Sequence, residues 1–147
     1  MLVFDMERWE FGLLIIAVIL TSGAEAMTRA QLKNSAKMMK KSCLGKVDVP
    51  EENIVDIEKG KFIEEKNVMC YIACIYQMSQ IVKNNKLSYE ASIKQVDLMY
   101  PPDIKDAVKK SIEQCKDVSK KYKDLCEASY WTAKCIYDHD PKIFIFA

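Results

Sequence analysis

Two cysteines four positions apart, Cys70 and Cys74, constrain this chain more than any other feature. At that spacing they lie on one face of a helix, one turn apart. Such a pair does not usefully close on itself within the turn, so each thiol reaches outward to a different segment. A helix built this way is a double staple. Four further cysteines are available as partners: Cys43 before it, and Cys115, Cys126 and Cys135 after it. An even cysteine count in a short exported domain indicates an oxidising compartment and a disulfide framework, and six cysteines allow fifteen pairings between which counting does not choose.

Export is read from the N-terminus. Phe11–Leu20 is an apolar run followed by small residues and the A-x-A pattern Ala24-Glu25-Ala26. We therefore expect a signal peptide over residues 1–26 and a single domain over residues 27–147. The acidic residues Asp5, Glu7 and Glu10 before the run depart from the usual basic leader, which makes an uncleaved membrane anchor the competing reading. Its apolar core falls well short of the roughly 20 residues a span needs. Without residues 1–26 the chain loses Asp5, Glu7, Glu10, Glu25 and Arg8, which leaves 21 basic and 17 acidic residues and a net charge of +4. The bases are lysines apart from Arg29, and they are dispersed along the chain. Bidentate phosphate and guanine readout favours clustered arginine, so no nucleic-acid partner is expected.

The rest reads as consecutive amphipathic helices, without repeats or low-complexity segments. Thr28-x-x-Gln31 is a capping box that opens the first, with Leu32, Ala36, Met39 and Cys43 inward and Gly45 at its end. Asp48-x-x-Glu51, with Pro50 in the first turn, opens a short second helix that turns Ile54 and Ile57 inward and stops at Gly60. A charged connection, Lys61–Lys66, surrounds Phe62 and Ile63. The third helix is expected over Asn67–Val82, with Cys70, Cys74, Met78 and Ile81 as its stripe, broken by Asn84-Asn85. Ser88 caps a fourth, with Ile93 and Val96 inside. Pro101-Pro102 opens a fifth that carries Ile104, Val108, Ile112 and Cys115. A sixth is expected over about Lys123–Tyr137, carrying Cys126, Ser129, Ala133 and Ile136, until Asp138-His139-Asp140-Pro141 stops it. Ile143-Phe144-Ile145-Phe146 is an apolar tail. Exposed, it would be an aggregation hazard, and it reads either as a segment folded back to close one mouth of a pocket or as a surface anchor or sticky end.

The spacing Cys43-x26-Cys70-x3-Cys74-x40-Cys115-x10-Cys126-x8-Cys135 resembles the six-cysteine signature of insect odorant-binding proteins. Met69-Cys70-Tyr71 with Cys74, Pro101-Pro102, Cys115-x-Asp117, Cys126-Glu127 and Tyr130-x-Thr132-Ala133-Lys134-Cys135 look most like the Lush-type subgroup. The resemblance covers the chain from about Met27 to Ala147. It implies an all-α fold of about six short helices around an apolar cavity, stapled by Cys43–Cys74, Cys70–Cys126 and Cys115–Cys135. It also implies a secreted carrier that binds small hydrophobic odorants or pheromones and delivers them through aqueous sensillum lymph to a membrane odorant receptor. Such a carrier is expected as a monomer or weak homodimer. The same fold also serves as a carrier or scavenger of small hydrophobic molecules in non-olfactory secretions.

The ligand-binding residues implied are Tyr76, Met78, Ile81, Leu87, Met99, Ser129, Ile136, Phe144 and Phe146. Ordinary core packing produces the same apolar helix faces, so each of them has that bland reading as well. Lush-type pockets carry small hydroxyl residues two and seven positions after the third cysteine, where this chain has Tyr76 and Ile81. The departure points to a larger, more apolar ligand than a short alcohol. His139, the single histidine, is a candidate pH switch between Asp138 and Asp140. It has neither the neighbouring cysteine nor the Gly-rich loop of a secreted phospholipase, and no Gly-x-Ser-x-Gly is present. No enzyme activity, cofactor or metal is expected; a zinc module built on Cys-x3-Cys conflicts with secretion and the even cysteine count.

Overall fold

The computed structural model describes residues 25–147. The apolar run Phe11–Leu20 and the acidic segment before it lie outside the described residues. The expected all-α architecture is present. Five α-helices, α1 (Arg29–Leu44), α2 (Lys66–Met78), α3 (Tyr89–Met99), α4 (Pro102–Cys115) and α5 (Leu125–His139), are joined by short turns and one small hairpin.

Local chemistry sets most of the boundaries. Thr28 Oγ1 accepts from the Gln31 amide at 3.2 Å while the Thr28 amide donates to Gln31 Oε1 at 2.8 Å, so the capping box forms as read. Ser88 caps α3 through the Ala91 amide. Pro101 caps α4, with Pro102 at its first position.

The second expected helix is instead two 3-10 turns, Glu51–Asn53 and Ile57–Lys59. Between Pro50 and Gly60 there are too few residues for α-helical propagation to offset nucleation, and Asn53, Val55 and Asp56 are weak helix formers. Ile54 and Ile57 are nevertheless buried, as read. The third helix stops at Met78 rather than Val82. The Ser79 hydroxyl donates to the Ile75 carbonyl at 2.9 Å, and Gln80 turns left-handed at φ 60°. Val82–Lys83 and Lys86–Leu87 then pair antiparallel as β1 and β2. Asn84 and Asn85, at φ 50° and 59°, form the two-residue turn, which requires left-handed residues at both positions. The last helix begins at Leu125, after a 3-10 turn over Ser119–Lys121, because the Asp124 carboxylate accepts from the Glu127 amide at 3.0 Å. It runs two residues past Tyr137 to His139. Ile93, read as interior, is only half-buried and joins neither core cluster.

All three disulfides pair as the resemblance implied: Cys43–Cys74, Cys70–Cys126 and Cys115–Cys135. The first two tie α2 to α1 and to α5, and the third ties α4 to α5. Val68, Met69 and every residue from Tyr71 to Tyr76 are buried, so α2 is apolar on all sides and central. One core cluster surrounds it. A second gathers Val96, Ile104, Val108 and Ile143 between α3, α4 and the tail. The tail touches both in alternation: Phe144 and Phe146 enter the first cluster, Ile143 and Ile145 the second. The Tyr71 phenol secures it by donating to the Ala147 carbonyl at 2.9 Å.

Gly60 is a backbone requirement. Its φ is 90°, and a Cβ placed there would lie 2.4 Å from the Tyr137 ring, whose hydroxyl donates to the Lys59 carbonyl at 2.9 Å. Gly60→Ala is expected to destabilise the fold by about 2 kcal/mol or more, read as a lower midpoint in denaturant titration with the disulfides intact. An unchanged midpoint would contradict the close approach.

Burial raises the phenols of Tyr71, Tyr76, Tyr100 and Tyr130 above their ordinary value near 10. The unfolded chain therefore releases these protons first. Stability is fully present below about pH 10 and is lost as the pH rises beyond it. We expect these tyrosines to ionise only together with loss of helical circular dichroism, followed by near-ultraviolet tyrosinate absorbance. Ionisation of all seven tyrosines with helicity retained would contradict their burial.

Candidate functional site

A cavity of about 780 Å³ lies between the two clusters. Its size suits a single small organic ligand. Each element contributes through one face. Leu32, Ala36 and Met39 come from α1 at helical spacing, and Ile75, Tyr76 and Met78 come from the last turn of α2. The hairpin sends in Ile81 and Leu87. From α3 come Val96, Met99 and its capping residue Tyr100, and from α4 Val108 and Ile112. Thr132 and Ile136, one turn apart on α5, face the tail residues Ile143–Ala147 across the space.

Eight of the nine residues expected from sequence line this cavity: Tyr76, Met78, Ile81, Leu87, Met99, Ile136, Phe144 and Phe146. Ser129 does not. It is fully buried, with Cys126 three residues before it and Ala133 four after it, on the α5 face that meets α2. Its hydroxyl finds no partner there among the described residues. The cavity-facing hydroxyl of α5 is Thr132, three residues further on. Spacing from Ile136 does not separate the two, because i−4 and i−7 both fall within about 40° of it around the helix. Tyr100 was also missed in sequence. Its signal was the double proline after it, which holds the preceding residue extended; its φ and ψ are −84° and 142°.

The tail forms an aromatic wall. Phe144 and Phe146 stack at 5.5 Å between centroids, and Phe146 meets the rings of Tyr71 and Tyr76 at 6.5 and 6.2 Å. Three thioethers, Met39, Met78 and Met99, also line the cavity. Methionine adapts its shape at little cost, so the lining conforms to different ligand outlines. Met78 Sδ also rests 3.6 Å from Cys43 Sγ, against the Cys43–Cys74 disulfide.

Charge stays at the rim. Glu90, Lys116 and Lys120 border the cavity and are exposed, with the Lys116 ammonium 5.7 Å from the Tyr89 ring centre. Inside the rim the polar groups are uncharged, hydroxyls together with the Gln95 amide. Burial raises the Tyr76 phenol well above its ordinary value and the nearby Tyr100 phenol adds to this; burial raises Tyr100 as well. Both stay protonated donors at neutral pH.

His139 is the last residue of α5 and is not part of the cavity wall. Its Nδ1 lies 2.8 Å from the Oγ of Ser111, a fully buried residue, and that hydroxyl donates to the Ala107 carbonyl at 3.2 Å. The contact pins the end of α5 to α4. Of the flanking acids, Asp138 pairs with Lys134 at 2.6 Å, and Asp140 accepts from the Lys142 amide at 3.1 Å.

The same arrangement recurs in known proteins. Residues 25–139 match the model of the PBP/GOBP family. General odorant-binding protein 72 of Anopheles gambiae is 32% identical over 121 residues, which covers 82% of this chain and 99% of the relative. General odorant-binding protein 19a of Drosophila melanogaster is 32% identical over 145 residues, covering 93% of this chain and 99% of the relative. The crystal structure of odorant binding protein 4 of Chrysopa pallens superposes with a TM-score of 0.74 at 36% identity, over 82% of this chain and 99% of that one. By this family match and these relatives, and with its three disulfides, the chain belongs to the PBP/GOBP family of odorant-binding proteins.

Proposed function

We propose that the protein is a secreted, non-enzymatic carrier that holds one small hydrophobic odorant or pheromone in this cavity and delivers it through aqueous lymph to a membrane odorant receptor. The observation that carries the reading is the cavity itself: about 780 Å³, lined by apolar side chains, with its charges confined to an exposed rim and the tail inserted as a wall. Burying a CH₂ is worth roughly 0.8 kcal/mol, so a ligand of ten or so carbons reaches about micromolar affinity with few polar contacts. Tyr76, Met78, Ile81, Leu87, Met99, Ile136, Phe144 and Phe146 supply that contact. Residues 1–26 act as the signal peptide that sends the protein to the lymph; among the described residues, no helix is long and apolar enough to cross a membrane.

The test is displacement of a fluorescent aminonaphthalene probe from the oxidised protein. Long-chain aldehydes, ketones and esters are expected to displace it at micromolar concentration. A protein that takes up no probe, or keeps it against every apolar competitor, is not a carrier of this kind.

The tail is assigned a second role, as the lid. Residues 142–147 include the three deeply buried side chains Ile143, Phe144 and Phe146. Their removal is expected to weaken binding of long apolar ligands by roughly tenfold, about 1.4 kcal/mol. Equal affinity of truncated and full chains, with helicity retained in both, would show that the tail is no lid.

A further inference from the structure

The cavity-wall hydroxyls without a partner among the described residues include one threonine and two tyrosines. Thr132 Oγ1 is shut off from solvent and makes no hydrogen bond. A helical threonine usually turns back to the carbonyl four residues earlier; Thr132 does not. The phenols of Tyr76 and Tyr100 are the second and third. Tyr71, Tyr130 and Tyr137 each donate to a backbone carbonyl and Tyr89 donates to Glu113, whereas Tyr76 and Tyr100 line the cavity and donate to no acceptor among the described residues. Tyr76 is 9% exposed, so its hydroxyl faces the cavity rather than bulk water. The three arrive on separate walls: Tyr76 from α2, Tyr100 from the end of α3 and Thr132 from α5.

A buried hydroxyl without a partner is destabilising and rare, and Thr132 is one. With two unpartnered phenols on the same cavity wall, it calls for an atom that is not part of the chain. Two of them are phenols that donate. The complement is an oxygen that accepts two hydrogen bonds and brings no hydrogen of its own, which describes a carbonyl better than an alcohol. A carboxylate does not fit, because the nearest cations, Lys116 and Lys120, sit at the exposed rim.

We propose that Tyr76, Tyr100 and Thr132 form a polar pole in this cavity that selects uncharged apolar ligands bearing a carbonyl oxygen over hydrocarbons of equal length. The proposal rests on the carrier reading and adds the functional group read and the side chains that read it. Methionines and tail aromatics hold the hydrocarbon part, and the pole fixes which end of the ligand lies inward.

The experiment uses the oxidised full chain and a matched pair, a ten-carbon methyl ketone and the ten-carbon alkane, each displacing the aminonaphthalene probe. The ketone is expected to bind roughly tenfold more tightly than the alkane. Tyr100→Phe, Tyr76→Phe and Thr132→Val are each expected to shrink that ratio, with the largest loss for the double phenylalanine variant and little change for the alkane. A second measurement needs no variant: the infrared C=O stretch of carbonyl-labelled ketone should shift to lower frequency on binding the unaltered protein, as hydrogen bonding requires. Equal displacement by ketone and alkane, or an unshifted carbonyl band, overturns the polar pole and leaves the carrier reading standing. A ratio that survives all three substitutions assigns the selection to other groups and overturns the proposal. Failure of both ligands to displace the probe overturns the carrier reading along with it.

Discussion

Everything in this fold depends on burying α2 on all sides. A helix with Val68, Met69, Tyr71, Ile72, Ile75 and Tyr76 all inside has no solvent face, so the other elements must surround it. They are short, and helices of this length are marginal alone. Cys70 and Cys74 resolve the difficulty by fixing α5 and α1 to α2 at two points one turn apart. In the chain-entropy model, each crosslink closing a loop of tens of residues contributes on the order of 3–4 kcal/mol by restricting the unfolded chain. That contribution does not require the interior to be filled.

The empty volume follows from how the apolar residues are partitioned. Those around α2 form one cluster, and those of α3 and α4 form another. Neither closes over the gap between them. The tail does so by alternation, with successive side chains pointing to opposite sides as in any extended segment. Phe144 and Phe146 therefore complete one cluster while Ile143 completes the other. A helical tail would present its apolar residues as one stripe and would not join two separated surfaces.

The framework was legible in sequence because it is written in discrete residues. Cysteine spacing, the Thr28 capping box, Pro101-Pro102 and Gly60 each act through one local rule that tertiary packing does not overturn. The misreadings lie where that rule is weak or competes with another. Periodicity runs on past Met78, but a serine–carbonyl bond and a left-handed Gln80 end the helix first. The hairpin has two residues in each strand, too few for alternation to register. The Asp124 cap on the Glu127 amide moves the start of the last helix from the expected Lys123 to Leu125. In the cavity, Ser129 and Thr132 were both plausible hydroxyls on one helix. Only the phase of α5, set by the Cys126–Cys70 bond, puts the second on the wall and the first against α2. Tyr100 enters through a backbone angle imposed by the next residue, which no side-chain pattern reports.

The wall that seals the cavity follows Cys135, the last cysteine in the chain. Moving Ile143–Ala147 outward breaks the Tyr71 hydrogen bond and a set of aromatic contacts, but no covalent bond. The walls on α1, α2, α4 and α5, by contrast, are held by crosslinked helices. The disulfides therefore fix helices without fixing this segment, and a wall of the cavity that completes both core clusters is held by packing and the Tyr71 hydrogen bond.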